Sequence, residues 1–145
     1  MSLHPSYTRT LAIVLSLLAF SSVAVHGADA KAADKDPLAK FSDEDLSKID
    51  FCFTKFCEAI AAKDAKIAAA LIDEMPKNLA KLDLNKEADR ATFVKAFATF
   101  EGANVVASQR MPAAGLGEVT YTDKAGAEKK QRMQNVGGRW KLTGF

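Results

Sequence analysis

From residue 42 onward the chain carries two successive rhythms. Leu46, Ile49, Phe53, Phe56 and Ile60 recur at helical spacing, while Lys48, Lys55 and Glu58 fall away from that stripe. This pattern predicts one amphipathic helix over 43–62. Ser42 is suited to cap it, and Asp43, Glu44 and Asp45 put negative charge on the first turn, where the helix dipole favours it. Asp64 is suited to cap a second helix with Ile67, Ala68, Leu71, Ile72 and Met75 on its apolar face. Pro76 stops that helix, because the residue before proline disfavours the α region. Leu79, Leu82 and Leu84 fall in a short linking turn or a single helical turn. A third helix is expected over 86–101, with Phe93, Phe97 and Phe100 on one face and Gly102 beyond its end.

After Gly102 the period changes to that of strands. Residues 104–110 make a candidate strand, closed by Met111 and Pro112. Residues 117–123 alternate, with Val119 and Tyr121 on one face and Glu118, Thr120 and Thr122 on the other. Asp123 to Gly126 is a turn, and 128–135 is a polar return strand with one wet face. Gly137 and Gly138 fit a two-residue hairpin loop. A last strand runs to the end of the sequence, with Trp140 and Leu142 facing one way and Lys141 and Thr143 the other. The expectation is an α+β domain: three N-terminal helices packed on a curved antiparallel sheet of about four strands.

The residues before 43 have a different character. Arg9 is followed by an apolar run over 11–20 and then by small residues, the layout of a secretory signal peptide. Cleavage after Gly27 or after Ala30 fits the small-residue rule. The expected organisation is a signal over 1–27, an Ala-, Lys- and Asp-rich flexible lead-in over 28–42, and one domain over 43–145. Both histidines, His4 and His26, leave with the signal. The exported chain then has no imidazole for nucleophile activation, metal binding or proton shuttling. No other apolar stretch is long enough to span a bilayer, and no cysteine sits at the cleavage point. The expected destination is therefore the periplasm or the extracellular medium, without a stable membrane anchor.

The formal charge of +2 includes Arg9, so the exported part is nearly neutral. This argues against nucleic acid as a partner. Lys129, Lys130 and Arg132 form a local basic group that reads as a solvated strand face or as a contact for an acidic partner. Cys52 and Cys57 are the only cysteines. Export favours a disulfide, but positions five apart on a helix sit about 140° around its axis, too far apart to bridge without breaking the helix. Two buried apolar residues are the favoured reading. A local disulfide, an intermolecular bridge and a reactive thiol stay open.

Two segments carry a resemblance. One is Phe56-Cys57-Glu58-Ala59-Ile60-Ala61-Ala62-Lys63-Asp64, an aromatic and alanine-rich turn running to an aspartate that starts the next helix. The other is the closing Val136-Gly137-Gly138-Arg139-Trp140-Lys141-Leu142. Together with the element order over 44–145, they resemble the nuclear transport factor two-like superfamily, also called ketosteroid isomerase-like or cystatin-like. The likeness is to its small secreted, uncharacterised members and to the related SnoaL-like domains. The resemblance implies a cone, a bent sheet wrapped on helices that often encloses a pocket. Its members include isomerases, dehydratases, ligand binders and dimerising modules. The chain departs from the fuller pattern in lacking a hairpin between the second and third helices, which leaves such a cone shallow or open.

Phe53, Phe56, Phe93, Phe97, Tyr121 and Trp140 are the candidates to line a pocket. A core of this size would use the same aromatics. The carboxylates Asp64, Asp73, Glu74, Glu101 and Glu118 all lie off the apolar stripes. No residue is therefore assigned a catalytic role, and no metal or cofactor is implied. The expected function is an exported, non-enzymatic binding or interaction module. Its partner would be a small apolar ligand, a protein, or a second copy paired through the sheet face. The alternatives are a small isomerase or dehydratase with Tyr121 in an apolar pocket, and a thiol-mediated interaction protein using Cys52 or Cys57.

Overall fold

A computed structural model describes residues 35–145. The expected signal, His4, His26 and the cleavage points lie outside the described residues, as does the lead-in up to residue 34. Among these residues, four α-helices and a 3-10 turn precede four strands in chain order. The helices are α1 (Asp43–Leu46), α2 (Ile49–Ala61), α3 (Ala65–Ala70) and α4 (Glu87–Ala96), and the 3-10 turn is Ala98–Phe100. The strands β1 (Asn104–Arg110), β2 (Leu116–Thr122), β3 (Glu128–Val136) and β4 (Arg139–Thr143) form one antiparallel sheet in the order β1-β2-β3-β4. The protein is thus an α+β domain on a four-stranded antiparallel meander.

The helical half departs from the expected three helices. The single helix expected over 43–62 is broken at Ser47 and Lys48. Lys48 is extended, with ψ 125°. The Ser47 hydroxyl donates to the Glu44 carbonyl (2.6 Å), and the Ser47 carbonyl accepts from Trp140 Nε1 (3.0 Å). The break gives that tryptophan a partner for its one donor. Ser42 caps α1 as expected, accepting from the Asp45 amide (3.1 Å). Asp64 likewise caps α3, accepting from the Ile67 amide (3.1 Å).

Helix α3 ends at Ala70, short of the expected Met75. Residues 71–73 turn aside to pair with β4. The Leu142 amide donates to the Leu71 carbonyl (2.8 Å), and the Asp73 amide donates to the Leu142 carbonyl (2.9 Å). Sheet pairing there displaces a helical turn that proline alone would have allowed. The third expected helix is likewise shorter, with its last turn tightened to 3-10.

The folded unit also starts earlier than 43. Leu38 is buried in the core, and Asp36 is paired with Arg139 (2.9 Å). Residues 36–42 therefore pack on the domain and are not a free lead-in. The residues that do this are Leu38, Phe41 against Phe51, and Asp36, a signal too sparse to stand out in an Ala- and Lys-rich stretch.

The strands follow the alternation closely. Val119, Tyr121, Met133, Trp140 and Leu142 are buried on the face toward the helices. Residues of β2 and β4 on the other face are half-buried. The 137–138 loop takes two left-handed residues, φ 61° and 88°, which glycine permits without strain. Gln131 is the one buried polar residue on the inner side. Its amide nitrogen donates to the carbonyls of Arg132 (3.0 Å) and Thr143 (2.7 Å), so it locks β3 to β4.

Candidate functional site

Five of the six aromatics singled out from the sequence come together through Phe100, and Trp140 is buried apart from them, beside Ser47 and Arg110. Phe53, Phe56, Phe93, Phe97, Tyr121 and Trp140 are each 4% exposed or less. The Phe53 ring lies 4.9 Å from Tyr121 and 6.0 Å from Phe100, between centroids. Phe56 makes edge contacts with Phe97 (5.5 Å) and Phe100 (5.2 Å), and Phe93 meets Phe97 at 5.0 Å. Offset and edge geometries of this kind join aromatics into one packed body. Phe100 is its centre, a role the helical stripe alone did not announce.

Tyr121 is stacked on Phe100 at 5.6 Å. Burial raises its hydroxyl pKa, against the opposing pull of Lys129. The carboxylate that acts on this phenol is Asp123, which is itself paired with Lys129 (2.7 Å). The acids weighed as bases are engaged elsewhere or exposed. Asp64 caps a helix, and Glu118 accepts from Lys130 (2.8 Å), whose hydrogen bond holds its carboxyl below the usual range. Among the described residues no cluster of three histidine, cysteine or acidic side chains is placed to hold a metal ion.

The basic trio is largely spoken for. Lys129 pairs with Asp123 (2.7 Å) and Lys130 with Glu118 (2.8 Å). Alternation also sends Lys129 to the opposite face from Lys130 and Arg132. The three side chains therefore do not form one patch.

Cys52 and Cys57 are free and buried. The Cys52 thiol donates to the Leu46 carbonyl at 3.3 Å. Burial pushes Cys52 up to about 11 and Cys57 up to about 12. The thiolate is the reactive species, so burial of both sulfurs works against their reaction in the folded protein. Alkylation with iodoacetamide at pH 8 should label neither cysteine in native protein and both after denaturation. Mass spectrometry of the intact chain reads the result directly.

The surface feature with the most chemistry lies where β1 passes through residues 111–115 to β2. A groove of about 460 Å³ there is lined by Arg110, Met111, Leu116, Trp140 and Ser47, with Gly115 and Gly138 contributing backbone. The Arg110 guanidinium stands 5.9 Å from the Trp140 ring centroid, within cation–π range. Among the described residues no carboxylate lies within 4.0 Å of it. Gly117 makes this corner compact. A β-carbon there would sit 2.9 Å from Ile49 Cδ1 and 3.0 Å from Trp140 Cζ3, so only glycine lets the helix and the tryptophan close over the strand. A second groove of about 370 Å³ shares Met111 and Leu116 and is bordered by Arg132. Neither groove reaches Phe53, Phe56, Phe93, Phe97 or Tyr121.

Comparison with known proteins leaves the geometry to stand alone: no family model, no curated protein and no solved structure matches the chain. Of the sequence candidates, Trp140 alone reaches this groove. In the sequence, Arg110 and Met111 stand at the end of a strand. Their role depends on the fold bringing β4 beside them, and no local pattern carries that information.

Proposed function

We propose that this protein is an exported, non-enzymatic binding module with a nuclear transport factor two-like cone. The ligand we assign to it is an apolar molecule bearing an anionic group, bound in the groove beneath residues 111–115. One observation carries this reading: Arg110 is held over Trp140 at a groove with apolar and polar lining and, among the described residues, has no acidic partner. A guanidinium on an aromatic face supplies a directional site for a carboxylate, and Met111 and Leu116 supply contact area for an apolar body. The groove volume is of the order that small-molecule sites use. The packed aromatic interior supports the same conclusion from the other side, because it leaves the surface as the place for recognition.

Native mass spectrometry of the purified protein tests this reading. The expected result is a small-molecule adduct on the wild-type chain that Arg110→Gln fails to retain. Arg110 is exposed, so the variant should fold normally. An adduct held equally by both proteins, or none in the presence of added alkyl carboxylate, would refute it.

A further inference from the structure

The sheet has two edges, and the fold treats them differently. The centre of β4 is covered, because Leu71 and Asp73 take both backbone bonds of Leu142. Among the described residues, strand β1 has no such cover. Apart from its ladder to β2, none of the backbone groups of residues 104–110 has a backbone partner among the described residues. Six of its seven residues are exposed, and Val106 is 57% exposed. A bare strand edge of this kind is a template for another strand.

We propose that two copies of this chain pair through β1, antiparallel and edge to edge, to make a continuous eight-stranded sheet. This does not rest on the ligand groove, which Arg110 lines at the strand's end, and two observations favour a second copy as the occupant. First, the only charge on the strand is Arg110, at its end. An antiparallel two-fold pair sets Arg110 across from Asn104 of the other copy and keeps the two arginines roughly 20 Å apart, at about 3.3 Å per residue. Parallel pairing would bring them together. Second, β4 is blocked, so β1 cannot add to the far edge of a neighbour and extend into a filament. The only strand-to-strand contact left is isologous and closes at two copies. The outer sheet face is a poorer candidate, since Glu118 there already bridges to Gln109 (3.3 Å) and Lys130 (2.8 Å).

The test combines sedimentation with amide hydrogen exchange on the purified protein. The expected result is a dimer as concentration rises through the micromolar range, with the 104–110 amides exchanging roughly tenfold or more slowly in the dimer than in the monomer. Ala107 lies at the centre of the pair and is exposed in one copy. Ala107→Lys and Ala107→Glu should each be monomeric, because like charges then face each other across the two-fold. Mixing the two variants should restore the dimer, which also shows that both are folded. Four outcomes would overturn the proposal. They are a monomer at all concentrations, a dimer untouched by either variant, variants that stay monomeric when mixed, and protection of 104–110 that comes only with a different polypeptide.

Discussion

Phe53→Ala should unfold this protein at ordinary temperature or leave it barely folded. The side chain is fully buried on α2, against Phe100 from the helical half and Tyr121 from the sheet. Truncating a buried phenylalanine costs about 3–5 kcal/mol, from lost transfer energy and the cavity left behind. A domain of this size has only about 5–15 kcal/mol to lose. The loss falls where helices and strands meet, so the two halves should come apart together in one transition. Urea denaturation followed by circular dichroism and by Trp140 emission checks both points, since this is the chain's one tryptophan. Coincident transitions with a midpoint well below wild type are expected. A shift of under about 1 kcal/mol would mean that the aromatic interior is not packed as described.

Gly117→Val should cost about 1–3 kcal/mol, the usual range for overpacking. The reason is the close approach that glycine allows. A β-carbon meets Ile49 and Trp140 at 3.0 Å or less, and the Gln109 carbonyl lies 3.2 Å away. The tip of Ile49 can rotate aside, but the indole is fixed by its bond to the Ser47 carbonyl and the Gln109 oxygen is backbone. The indole must therefore move. Gly117→Val should shift Trp140 emission in the native state as well as lower the denaturation midpoint. A variant with wild-type stability and unchanged emission would mean that Ile49 and Trp140 do not close over this strand.

The strands were legible because their faces differ. Val119 and Tyr121 alternate with Glu118, Thr120 and Thr122, and glycines mark the turns at 126 and 137–138. The helices were legible as apolar stripes, but their ends were not. Trp140 lies far along the chain from Ser47, yet it takes the carbonyl that would have continued α1 into α2. The Leu142 backbone likewise draws 71–73 away from α3. Both terminations are tertiary, and a local pattern carries no trace of them. Leu38 was hidden for the same reason, its burial depending on a surface built by later residues. The aromatics were found as a set, though composition alone could not say whether they enclose space or fill it. Arg110 escaped because an arginine ending a polar strand looks like solvent-facing charge. Only the return of β4 puts an indole beneath it.

The central claim is that Arg110 over Trp140 makes a site for an anionic, apolar ligand. Trp140 emission, titrated with decanoate and with decanol, tests it most directly. The account predicts a saturable change with decanoate, weaker binding of the neutral alcohol, and roughly ten- to a hundredfold weaker decanoate binding in Arg110→Gln, the worth of one charge-assisted hydrogen-bonded contact. Emission that does not respond to millimolar decanoate, or that responds identically in the variant, would contradict it.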